Sequence, residues 1–102
     1  SNAWIVRPDG FVLTRPLDDR LLGGVTRATA LDVLKAHGVP VEQRSFTIAQ
    51  AQAAREAFVT SASATVMPVV MIDGRAVADS KPGPLSLRLR EKFHELAEIT
   101  PV

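Results

Sequence analysis

Two short stretches carry residue types that could hold an anion. The run Gly23-Gly24-Val25-Thr26-Arg27 sets a glycine pair directly before a helical stretch. Backbone N–H groups converge at such a point, the helix start adds partial positive charge, and Thr26 offers a hydroxyl. The same residues also read as a tight turn with Thr26 as the helix N-cap. The run is neither a Walker motif nor a GxGxxG. The second stretch, Thr60-Ser61-Ala62-Ser63, follows a β-prone run. Its small hydroxyl side chains suit phosphate oxygens, and equally a solvated turn. No complete catalytic set accompanies them. His37 falls in the last turn of a helix, where a cation suits the dipole, and His94 lies among charges. Neither has a ligand partner at helical spacing, so no metal site is expected. The carboxylates Asp18, Asp19, Glu42 and Glu56 are scattered, and Asp18-Asp19 reads as a solvated loop pair. Of twelve basic residues only Lys35, Lys81 and Lys92 are lysines.

The elements that would position these residues follow from periodicity and turn chemistry. Trp4-Ile5-Val6 and Phe11 to Thr14 flank Asp9-Gly10, a strong hairpin signal, with Trp4 as anchor and Pro16 ending the pair. Ala28 to His37 is an amphipathic helix with Ala28, Leu31 and Leu34 on its apolar stripe, widened by Ala30 and Val33. Gly38 stops it as the C′ residue and Pro40 lies just beyond. Val41 to Phe46 alternates as a strand, and Thr47 caps a short helix from Ile48 to Ala54. Ala57 to Thr60 is a strand. Thr65 to Ile72 is a buried, β-branched strand interrupted at Pro68. Asp73-Gly74 turns it back into Arg75 to Ala78. Pro84 suits the first turn of a last helix whose Leu85, Leu89, Phe93 and Leu96 share one face. The order ββαβαβββα, with two hairpins, specifies a mixed α+β domain.

Composition bounds the partners. The chain has 102 residues, a size for one domain, with 46% hydrophobic residues and a formal charge of +1. That balance gives no pull toward nucleic acid or an anionic membrane, and no apolar run approaches a membrane span. Zero cysteine removes disulfides, thiolate zinc and thiol catalysis, and fits a reducing, cytoplasmic setting. Ser1-Asn2-Ala3 reads either as a tag scar or as native sequence.

Taken in order, these motifs resemble a known family. The run Asn2-Ala3-Trp4-Ile5-Val6, then Asp9-Gly10, Thr14-Arg15-Pro16 and Leu22-Gly23-Gly24-Val25-Thr26-Arg27 is similar to the class IV, pyridoxal-phosphate-dependent aminotransferases. That is the fold type of D-amino acid transaminases and branched-chain aminotransferases. The similarity continues through Val41 to Thr47, Glu56 to Ser63, Val66-Met67-Pro68-Val69, Ile72-Asp73-Gly74 and Pro82-Gly83-Pro84. It covers essentially the whole chain. It resembles D-amino acid transaminases more closely, because branched-chain enzymes usually carry a Gly-Thr-Ala type loop where this chain has Ser61-Ala62-Ser63.

The resemblance gives both anion stretches one role, holding the phosphate of pyridoxal 5′-phosphate. It implies backbone amides at Gly24, Val25 and Thr26, with the Thr26 hydroxyl near, and a second loop at Ser61 and Ala62. The family commonly has Thr at the position of Ala62. Leu22 matches the residue that packs on a face of the pyridine ring, and Arg27 matches a structural partner of the turn. The family's Schiff-base lysine matches none of Lys35, Lys81 and Lys92, and no catalytic residue is expected in this chain. That lysine, the glutamate for the pyridinium nitrogen and an amino-terminal domain precede the matched region in the family. The expectation is therefore the C-terminal, cofactor-phosphate-binding domain over residues 1–102 of a transaminase acting on amino acid and 2-oxo acid substrates, inactive alone. The missing amino-terminal domain would cover exposed edges, and without it a homodimer or other self-association is expected. An aminodeoxychorismate lyase and a non-catalytic binding module that kept the fold are the alternatives.

Overall fold

The computed structural model describes residues 2–16, 24–61 and 65–99. A five-stranded sheet runs in the order β3-β2-β1-β4-β5. Its strands are β1 (Asn2–Val6), β2 (Val12–Thr14), β3 (Val41–Gln43), β4 (Glu56–Ser61) and β5 (Thr65–Val69). The helices are α1 (Gly24–Ala36), α2 (Ile48–Gln52) and α3 (Pro84–Ile99). A small hairpin, β6 (Met71–Ile72) and β7 (Arg75–Ala76), stands apart from the main sheet. The domain is mixed α+β, as the sequence indicates. All pairs in the main sheet are antiparallel except β2 with β3. That parallel pair needs a crossover connection, and α1 supplies it.

Side-chain alternation divides the sheet between two cores. Trp4, Val6, Val12, Phe58 and Val66 face α1 and α3, where Ala30, Leu34 and Leu89 close on them. Ile5, Leu13 and Ala57 face the other way and meet Ala51, Ala54 and Val77. Helices α1 and α3 thus cover one face, while α2 and the residues around the small hairpin cover part of the other. Gln52 Nε2 donates to the Ile72 carbonyl at 3.0 Å and ties α2 to β6.

Several local signals act as read. Asp9 accepts from the Phe11 amide and ion-pairs with Arg7 in the first turn, where Gly10 takes φ +93°. Gly38, at φ +71°, ends α1 in a Schellman arrangement: its amide donates to Lys35 and the Val39 amide donates to Leu34. Thr47 and Gln50 form a reciprocal capping box at the start of α2. Pro84 opens α3.

Other expectations are corrected. Helix α1 begins at Gly24, not Ala28, and Ala28 is exposed. Its most buried positions are Arg27, Ala30 and Leu34. Strand β3 stops at Gln43 rather than Phe46. The Arg44 amide still donates to the Thr14 carbonyl, but β2 ends there and Pro16 lies just beyond. Helix α2 ends at Gln52 and β7 at Ala76, each short of the expected Ala54 and Ala78.

The long apolar run from Thr65 splits at Val70 instead of Pro68, giving ββαβαββββα in place of ββαβαβββα. Pro68 sits inside β5 opposite Phe58. It is tolerated because β5 is the edge strand of the sheet among the described residues, with β4 as its one neighbour there. The run is not a buried strand: Val66 is buried, but Met67 is 53% exposed on the opposite, only partly covered face.

Candidate functional site

Four strand ends and one helix start meet at the same side of the sheet. Asn2 pairs with Thr60, Trp4 with Thr14, and Thr14 with Gln43. Arg27, one turn into α1, reaches across these strands. Its Nη1 donates to Asn2 Oδ1 at 3.1 Å and to Thr14 Oγ1 at 3.3 Å, and its Nη2 donates to Gln43 Oε1 at 3.2 Å. The first turn of α1 is therefore fixed over the ends of β1, β2 and β3, beside the end of β4.

Aromatic packing supports this arrangement from below. The Trp4 and Phe58 rings stack at 5.7 Å between centroids with 10° between planes. The Arg27 guanidinium lies 5.7 Å from the centre of the Trp4 ring, a cation–π contact. Trp4 Nε1 donates to Thr60 Oγ1 at 2.9 Å. Indole, hydroxyl and guanidinium are all buried, so each bond is made away from competing water.

Because α1 starts at Gly24, the amides of Gly24, Val25 and Thr26 fall in its first turn, where an α-helix has no internal acceptor for them. Thr26 is inside the helix, which rules out the N-cap reading. No acidic residue occupies the first turn, and no carboxylate accepts from Arg27 among the described residues. The group set is thus amide donors, the half-buried Thr26 and a buried cation, a chemistry that suits an anion with several oxygens.

The second stretch is only partly the loop expected. Thr60 and Ser61 belong to β4, with Ser61 paired to Thr65. Thr60 points to the α1 face and already accepts from Trp4. Leu22 and Ala62 lie outside the described residues. The buried Arg27 clamp is the main feature that sequence reasoning reduced to a structural partner. The one signal for it in the sequence was an arginine in register with the Ala30/Leu34 stripe.

The side-chain oxygen of Asn2 accepts from that clamp, and Asn2 belongs to β1, so it is part of the folded unit. The three lysines lie away from it. Lys35 is at the other end of α1, roughly 12 Å from Arg27 along the axis at 1.5 Å per residue. Lys81 is exposed beyond β7, and Lys92 pairs with Glu95 on α3. A separate shallow hollow at the opposite end of the sheet is lined by His37, Arg55, Glu56 and Arg88. There Glu56, one of the carboxylates that look scattered in the sequence, has a defined structural place. It is 3% exposed and caps α3.

With this geometry in view, the relatives are informative. The model of the family described as amino-transferase class IV matches residues 1–72. The chain belongs to this family. A D-alanine aminotransferase of Listeria monocytogenes serotype 1/2a (strain 10403S) is 39% identical over 100 residues, 98% of this chain and 34% of the relative. One of Staphylococcus aureus (strain COL) is 35% identical over 98 residues, 96% of this chain and 34% of the relative. The chain thus spans about a third of the length of the curated relatives it matches. Among solved class IV structures, a branched-chain aminotransferase from Thermoproteus uzoniensis with norvaline superposes with a TM-score of 0.86 at 32% identity. The match covers 98% of this chain and 32% of that one. The branched-chain amino acid aminotransferase from Escherichia coli gives 0.84 at 28% identity, covering 93% and 32%. The mixed α+β arrangement of this chain thus matches a region of these aminotransferase structures.

Proposed function

We propose that this chain forms the phosphate-holding side of a pyridoxal 5′-phosphate site in a transaminase that moves an amino group between a D-amino acid and a 2-oxo acid. The observation that carries the reading is the start of α1 at Gly24, held by Arg27 over the strand ends. The Gly24, Val25 and Thr26 amides would donate to phosphate oxygens, with the Thr26 hydroxyl beside them. Ser61 and Ala62 would approach from the end of β4, and Leu22 would pack on one face of the ring. Pyridoxal phosphate, when bound, supplies the aldehyde that takes up the amino group and the ring that withdraws electrons. The residues of this chain bind and orient it; none of them moves a proton at the reacting carbon. The D-alanine aminotransferase relatives favour a D-amino acid as donor. The reactive lysine, the remaining substrate contacts and the self-association expected for the exposed Met67 edge belong to the same proposal.

The test is amino transfer by the full-length protein. With pyridoxal phosphate it is expected to convert D-alanine and a 2-oxo acid to pyruvate and a new amino acid. Turnover of a branched-chain L-amino acid with none of D-alanine would overturn the substrate assignment. No amino transfer with either donor would overturn the reaction.

A further inference from the structure

Arg27 stands in an electrostatic position that three independent features make unfavourable. It is 1% exposed, so its charge has lost most of its water. Its hydrogen-bond partners among the described residues, Asn2, Thr14 and Gln43, are all neutral, and its Nε has no partner there. It also lies one turn from the start of α1, near the positive end of the helix dipole, where cations are disfavoured. Burial lowers its pKa from the ordinary value through desolvation, yet an arginine stays protonated at neutral pH. A fold seeking only to lock α1 onto three strands would do better with a neutral side chain or a paired carboxylate.

We propose that Arg27 is an electrostatic positioning residue for the cofactor phosphate: a buried cation in the first turn of α1, with no carboxylate partner among the described residues, that is compensated when a phosphate dianion docks there. This rests on the phosphate-cup reading above. Arg27 itself does not touch the ligand. It fixes the amide donors through its three oxygen contacts and lends them positive potential. The Trp4 ring on one side keeps water from screening that potential.

A substitution at Gln43 separates charge from architecture. Gln43→Glu keeps the side-chain shape and the bond from Arg27 Nη2 while supplying the missing counter-ion, and Gln43 is exposed enough to accept it. A purely structural clamp would be strengthened or unchanged. A charged positioning residue would be neutralised. The experiment measures dissociation constants of pyridoxal phosphate and of pyridoxal, which lacks the phosphate, for the full-length protein and its Gln43→Glu and Arg27→Met variants, with Tm recorded for each.

Both variants are expected to weaken pyridoxal phosphate roughly three- to tenfold, as for one partly buried charge near a helix start. Pyridoxal affinity should hold, and Tm should not fall in Gln43→Glu. Unchanged or tighter pyridoxal phosphate binding by Gln43→Glu would overturn the inference. So would an equal loss of both ligands in Arg27→Met. Should Arg27→Met not fold, Gln43→Glu decides alone. A parent protein that fails to prefer pyridoxal phosphate over pyridoxal would overturn the phosphate-cup reading itself, and is seen before any variant is compared.

Discussion

The Glu56 carboxylate receives both the amide and the hydroxyl of Ser86, at 3.0 and 2.8 Å, from thirty residues away. Its other oxygen accepts from the Leu85 amide at 3.1 Å. One buried side chain at the start of β4 thus satisfies two first-turn amides of α3 and places its negative charge at the positive end of the helix. Replacing it by alanine leaves those donors buried and empty. Glu56→Ala is expected to cost about 2–3 kcal/mol, read from the shift of the urea midpoint. A loss below about 0.5 kcal/mol would mean that the cap is dispensable.

Gly83 belongs to the same contact. A Cβ there would overlap the Glu56 Cγ and Cδ, so the glycine is required by space rather than by backbone angle. Gly83→Ala should destabilise the protein clearly in the parent background and much less when Glu56 is already alanine. Additive effects in that double-mutant cycle would contradict the overlap.

Gly38 is required for the opposite reason. Nothing lies near its would-be Cβ, but its φ is +71°. Gly38→Ala is expected to cost about 1 kcal/mol from backbone strain alone. Thermal unfolding checks this, and an unchanged Tm would argue against the Schellman ending of α1.

Trp4 and Thr60 join the aromatic stack to the end of β4. Trp4→Phe keeps the ring on Phe58 but removes the indole N–H. The expected loss is about 1–2 kcal/mol from the lost volume and the lost hydrogen bond, part of which should vanish in a Thr60→Val background. Full additivity in the unfolding free energies would show the 2.9 Å bond to be without net effect.

Much of this architecture was legible from local chemistry. Asp9-Gly10, Gly38, Thr47, Asp73-Gly74 and Pro84 each set one boundary through backbone geometry that depends on few neighbours. What could not be read depends on pairing across the fold. The end of β3 at Gln43 is dictated by where β2 runs out, and Pro68 is accepted inside β5 because β5 lies at an edge of the sheet. Glu56 looked like one carboxylate among several because Ser86 is thirty residues away. The site was legible in part: Gly24 to Thr26 do open a helix, while Thr60 and Ser61 lie in a strand. For Arg27 the sequence offered its register with Ala30 and Leu34 and its place in the turn, but not the clamp, since its three acceptors come from three different strands.

The 102-residue chain by itself should transfer no amino group. Mixed with pyridoxal phosphate, D-alanine and a 2-oxo acid, it is expected to form pyruvate no faster than the free cofactor does. Enzymatic turnover would require one of Lys35, Lys81 or Lys92 to act, and their positions oppose it.

The most direct measurement is a crystal structure of the full-length protein with pyridoxal phosphate bound. The phosphate oxygens are predicted within hydrogen-bond distance of the Val25 and Thr26 amides, with Arg27 beneath the turn and still bonded to Asn2, Thr14 and Gln43. A phosphate seated elsewhere, such as the hollow of His37, Arg55 and Arg88, with the first turn of α1 left empty, would contradict the account.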